Sequence, residues 1–187
     1  AGTATGTLTS ANSFLIAGQW AFIVFRVLSG GRMELYKDSL YQATATASAL
    51  PPSLNRTINY IGQSRAAANF FGGDIRNFFI WNRVITAEEI AFLYDDGFLK
   101  YTNLADNLIM KLPFNGNTND ETDRYNGTLT ADASASLSWH GYRYVLDLDG
   151  TGDYVDLPDI NIDWAGAGFT FSLWVYFDAL TTDRAIF

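Results

Sequence analysis

A single histidine, His140, and the lack of any cysteine restrict the side-chain chemistry open to this chain of 187 residues. Any Ser-His-Asp relay must be built on His140 in Ser138-Trp-His-Gly-Tyr142, and no nucleophile-elbow motif accompanies it. Without cysteine there is no disulfide, no thiolate nucleophile and no cysteine-based zinc site. Glycoside hydrolysis needs two facing carboxylates. Glu34, Glu88, Glu89 and Glu121 are the only glutamates, and no two have the spacing that places such a pair on one strand face. No catalytic residue is expected, and the chain reads as a non-enzyme.

Two other groups of residues offer binding chemistry. Asn117, Asn119, Asp120, Asp123 and Asn126, together with Asp149 and Asp153, cluster hard oxygen ligands of the kind calcium uses. The alternative for each aspartate is a solvated turn. Trp139, Tyr142, Tyr144, Trp164, Trp174 and Tyr176 offer ring faces that pack against the apolar face of a sugar. Trp139, Tyr142 and Trp164 are the ligand-binding candidates among them, against the alternative that such rings fill a core.

These residues must be positioned by strands. Aromatics make up 16% of the chain and charged residues 17%, below the roughly 25% charge of ordinary soluble domains, and Thr, Val and Ile are frequent. The net charge of −8, with no run of Lys or Arg, argues against nucleic acid and anionic membrane surfaces as partners. Apolar stretches such as Trp20 to Phe25 and Phe78 to Trp81 are far too short for a membrane helix. The start, Ala1 to Ser10, lacks the pattern of a signal peptide, so processing is complete or the chain is an excerpt.

Strand-like runs at Trp20 to Leu28, Arg32 to Lys37, Thr57 to Gly62, Ile75 to Trp81, Leu108 to Pro113, Tyr142 to Asp149, Asp153 to Leu157 and Phe169 to Phe177 are separated by Gly, Asn and Asp turns. In the last run Phe169, Phe171, Leu173, Val175 and Phe177 form one apolar face, and Thr170, Ser172, Trp174 and Tyr176 an outer one. One short helix is expected near residues 86–96, with Thr86 as N-cap, Glu89 completing a capping box, Ile85 and Ile90 as a staple, and Gly97 at its end. The fold class is all-β, an antiparallel sandwich or jelly roll.

The order of motifs resembles LamG-like, concanavalin A-like domains. Gly18-Gln-Trp-Ala-Phe22, Met33-Glu-Leu-Tyr-Lys-Asp38, Tyr60-Ile-Gly62, Phe71-Gly-Gly73 and Ile80-Trp-Asn-Arg83 leading into Thr86-Ala-Glu-Glu-Ile90 are similar to the family's closing half. Leu112-Pro-Phe-Asn-Gly-Asn117, Leu148-Asp-Gly-Thr-Gly-Asp-Tyr-Val-Asp-Leu-Pro158 and Phe169-Thr-Phe-Ser-Leu-Trp-Val175 are similar to its opening half. The halves stand in reversed order: 1–100 closing, 101–107 connector, 108–187 opening. Either the domain is permuted, or the chain spans two tandem domains, or each half is completed by a neighbouring chain.

The resemblance implies a non-catalytic extracellular or surface module that binds a glycan or a surface protein. The alternative is a structural subunit of a filament that self-associates by exchanging strands or half-domains between copies. It also implies calcium near the 117–126 loop. Arg76 and Asn77, however, occupy the family's acidic positions, and an arginine there takes the cation's place and pairs with the loop acids.

Overall fold

A computed structural model describes residues 6–10, 14–47, 55–66, 69–95, 102–130, 136–140, 143–161, 166, 168–180 and 185–187. The strands are β1 Trp20–Val27, β2 Arg32–Lys37, β3 Leu40–Thr46, β4 Asn55–Arg56, β5 Asn59–Ile61, β6 Gly72–Trp81, β7 Leu108–Leu112, β8 Thr128–Thr130, β9 Ser136–His140, β10 Arg143–Asp149, β11 Tyr154–Leu157, β12 Ile160–Asn161 and β13 Phe169–Phe177, and the helix is α1, Ala87–Tyr94. All strand pairs are antiparallel. The runs of alternating residues became strands, as their period of two requires.

Both halves of the chain contribute to every sheet. The eight-stranded sheet runs β3-β2-β1-β13-β6-β10-β9, with β7 sharing an edge of β6 with β10. Strand β13 of the second half lies between β1 and β6 of the first, pairing Trp20 with Tyr176 on one side and Ile80 with Phe171 on the other. The three-stranded sheet, β5-β11-β8, is likewise mixed, as is the pair β12-β4. Neither half can close its sheets alone, because β1 and β6 meet only through β13.

The apolar face of β13 lies in the main core between the sheets. Leu173, Val175 and Phe177 pack there with Ile75, Leu146, Val155 and Leu112. Its other face is covered as well: Thr170 and Ser172 are both 0% exposed. The cause is α1, whose Ile90 and Leu93 form a second core with Phe22, Val24, Phe79, Trp81 and Leu104. Thr170 is useful under the helix because its hydroxyl accepts from Ile85 N–H at 3.2 Å and donates to Arg83 O at 2.8 Å. The stretch read as a connector carries a short 3-10 turn at Thr102–Ala105, and Leu104 O accepts from Trp81 Nε1 at 2.8 Å.

The helix begins as its sequence prescribes. The Thr86 hydroxyl accepts from Glu89 N–H, the Glu89 carboxylate accepts from Thr86 N–H, and Ile85 and Ile90 are fully buried. Glu89 also receives Arg83 at 2.7 Å and 2.8 Å. On β1, Arg26 ties three elements together: Nε donates to Glu34, Nη2 to Tyr36 Oη, and Nη1 to Ile85 O ahead of the helix.

These two glutamates contribute to the chain's acid sensitivity. Burial pushes both carboxyls up, but the hydrogen bonds and charges of Arg26 and Arg32 at Glu34, and of Arg83 and Thr86 at Glu89, outweigh it and hold both below the ordinary 4.5. A depressed folded value gives stability that is fully present above the unfolded value and is lost as pH falls through the folded one. The melting temperature is therefore expected to stay level from pH 7 to about 5 and fall below that. In Glu89→Gln the acid-side fall should be shallower, and an identical slope would contradict the assignment.

Candidate functional site

The loop between β7 and β8 is built around Asp120, which is 1% exposed. One carboxylate oxygen accepts from the backbone of Lys111 at 2.8 Å and Thr122 at 3.0 Å. The other accepts from the Thr122 hydroxyl at 2.6 Å, Tyr125 N–H at 2.9 Å and Arg124 N–H at 3.2 Å. A carboxylate offers about four lone-pair sites, so no acceptor capacity is left for a cation. Asn126 Oδ1 accepts from Asp120 N–H and Asn117 Oδ1 from Asn119 N–H, which turns two more of the proposed ligands to loop closure. Asp123 is exposed in a left-handed conformation, φ 59°. Asp149 and Asp153 serve their own turn, and no group of three or more His, Asp or Glu that could hold a metal occurs among the described residues. The donor set does not fit calcium.

The same loop abuts an exposed aromatic pair. Trp139 on β9 faces Tyr144 on β10, with ring centroids 4.9 Å apart in an edge-to-face arrangement. Two residues further along each strand, Leu137 and Leu146 pack in the sandwich core, so the pair continues that face beyond the core's edge. Trp139 is 57% and Tyr144 41% exposed. The left-handed Gly116, φ 78°, brings the loop to the Tyr144 ring, where a Cβ would lie 3.8 Å away. The side chains of Asn115, Asn117 and Asn119 are exposed in that loop. An indole, a phenol and several amides thus share one rim, which provides both a stacking surface and hydrogen-bonding groups.

A second aromatic cluster lies on the outer face. The Arg76 guanidinium sits 5.2 Å from the Trp20 ring and 4.6 Å from the Trp174 ring. Tyr94 of α1 stacks on Trp174 at 5.5 Å and 16°. Every ring here is half-buried. Arg76 therefore keeps aromatic company, and is not among the donors to Asp120. The strand face on which Arg76 lies is the one turned toward Trp174.

Of the predicted ligand residues, Trp139 is on the rim, whereas Tyr142 and Trp164 lie outside the described residues, as does Gly97 at the end of the helix. Tyr144 was one aromatic among several in the sequence, and only its register opposite Trp139 distinguishes it. Among the described residues, no helix is long and apolar enough to cross a membrane.

Residues 1–91 match the family model described as the concanavalin A-like lectin/glucanases superfamily. No curated protein and no solved structure matches the chain. The matched segment carries β1 to β6 and the start of α1, and the second half completes its sheets. Residues 1–91 are thus similar in sequence to the concanavalin A-like lectin/glucanases superfamily, and the antiparallel β-sheets they contribute to are completed by the strands that follow them.

Proposed function

We propose that the protein is a non-catalytic extracellular or surface module that binds carbohydrate at the rim formed by Trp139, Tyr144 and the Asn115–Asn119 loop. The exposed edge-to-face pair Trp139–Tyr144 carries this reading. Large exposed rings beside amides that can donate and accept are a poor use of surface unless they meet a ligand with both an apolar face and hydroxyls. Lectin-type binding is what the matched family suggests. The Arg-bearing cluster around Trp174 is less suited, because its rings already pack on one another and on α1. Pairing of both halves within one chain favours a self-contained module over a filament subunit built by half-domain exchange.

Calorimetric titration with a panel of soluble oligosaccharides tests this. Truncating a buried aromatic anchor costs about 2 kcal/mol or more, roughly 30-fold in affinity. Trp139→Ala should therefore weaken binding by about that factor and leave the melting temperature within about 1 °C, as surface substitutions do. If no oligosaccharide binds, or if Trp20→Ala removes binding and Trp139→Ala does not, the rim is not the site.

A further inference from the structure

Asparagine stands directly before glycine twice in this chain, at Asn115-Gly116 and Asn126-Gly127, and both pairs lie in the loop between β7 and β8. An asparagine in this position is open to attack on its own side-chain amide, because glycine has no Cβ to shield the backbone nitrogen that attacks. The fold treats the two pairs differently.

Asn126 is fastened. Its Oδ1 accepts from Asp120 N–H at 2.8 Å, and the nitrogen that would attack it, Gly127 N, donates to Thr118 O at 2.9 Å. Gly127 O accepts in turn from the Thr118 hydroxyl at 2.7 Å. The space beside Gly127 is filled as well, since a Cβ there would stand 2.4 Å from Val155 Cγ1. Bringing Gly127 N against Asn126 Cγ therefore requires this end of the loop to open. Asn115 and Gly116 are both exposed, and among the described residues no hydrogen bond holds the Asn115 amide. Gly116 N–H donates to Phe114 O at 3.0 Å, a bond that spans three residues within one tight surface turn and ties the pair to no other element. A Cβ on Gly116 would meet nothing nearer than the Tyr144 ring at 3.8 Å.

We propose that Asn115 is a site of spontaneous deamidation, and that the conversion regulates the rim. The bond from Gly116 N to Asn115 Cγ forms and the Cγ–Nδ2 bond breaks. Nδ2 leaves as ammonia, carrying the proton given up by Gly116 N. Water then opens the cyclic imide at either carbonyl. Opening at Cγ gives aspartate; opening at the main-chain carbonyl gives isoaspartate, with one more carbon in the loop backbone. Either product replaces an amide that donates and accepts by a carboxylate that only accepts, beside Tyr144. The regulatory consequence rests on the rim being the carbohydrate site, whereas the conversion itself does not.

The test holds the full chain in mildly alkaline buffer at physiological temperature and reads its tryptic peptides by tandem mass spectrometry. Cleavage after Lys111, Arg124 and Arg143 separates Leu112–Arg124, which carries Asn115, from Tyr125–Arg143, which carries Asn126. In the folded chain Asn115 should convert about tenfold or more faster than Asn126, whose reaction must first break several hydrogen bonds. In urea the two should convert alike. Conversion of Asn126 as fast as Asn115 in the folded chain overturns the proposal, as does an Asn115 that converts in urea but stays an amide when folded. Asn115→Asp, checked for folding by circular dichroism, should bind oligosaccharide about threefold or more weakly than the native chain, as loss of one hydrogen bond predicts. Equal binding by Asn115→Asp and by the converted chain overturns the regulatory role. If no oligosaccharide binds even the native chain, the reading of the rim fails and takes the regulatory role with it, while the peptide masses still decide the modification.

Discussion

Replacing Asp120 by alanine should cost about 3 to 5 kcal/mol, because buried donors left without an acceptor each forfeit about 1 to 3 kcal/mol, and some of the five can recover water. Four backbone N–H groups and the Thr122 hydroxyl converge on this one carboxylate. For a chain of this length about 1 kcal/mol shifts the melting temperature by roughly 2 to 4 °C, so a fall of about 6 to 20 °C is expected. Asp120→Asn keeps one carbonyl acceptor but turns an amide donor toward N–H groups, and should lose about half as much. Calcium should neither raise the melting temperature of the native chain nor be needed for its binding to sugar. A rise with calcium that Asp120→Ala removes would restore the cation to this loop. Because Gly116 of the same loop lies beside Tyr144, where a Cβ would stand 3.8 Å from the ring, Asp120→Ala should also weaken carbohydrate binding in the fraction that stays folded.

Gly73→Ala should be the most damaging small change in the large sheet. Gly73 has φ 136°, a backbone conformation essentially confined to glycine. A Cβ there would lie 2.0 Å from Tyr176 O and 3.1 Å from Phe177 Cα. Both are backbone atoms of β13, the strand that joins the two halves, so neither can move aside without breaking the register from Phe177↔Gly73 to Trp174↔Arg76. Strain and displacement together are expected to exceed about 4 kcal/mol, a large part of the 5 to 15 kcal/mol that holds an ordinary domain together. Loss of soluble expression, or a melting temperature lower by about 10 °C or more, would agree; a shift of about 2 °C would mean that β6 and β13 lie further apart than they do here.

Local rules were enough to read much of this architecture. The capping box at Thr86 and Glu89 and the alternation of Phe169 to Phe177 are interactions between near neighbours, and both formed as written. Strand β3, Leu40–Thr46, escaped notice because an exposed edge strand needs no apolar face, and its residues are mostly small and polar. Burial of Thr170 and Ser172 was illegible for a different reason: it follows from a helix that reaches β13 from more than 70 residues away in the chain. The Asp120 loop presents oxygen ligands whether they meet a cation or backbone N–H groups, and only loop closure decides. Trp139 could be named from its residue type, but its partnership with Tyr144 depends on the register of β9 and β10.

The central claim is that the first and second parts of the chain complete one sandwich within a single copy, and the mass in solution tests it most directly. Light scattering across a wide concentration range, on protein shown by circular dichroism to be folded, should return the monomer mass of 20.7 kDa throughout. A folded dimer or larger assembly that persists on dilution, with no folded monomer, would mean that β13 pairs with β1 and β6 of another copy, and would contradict the account.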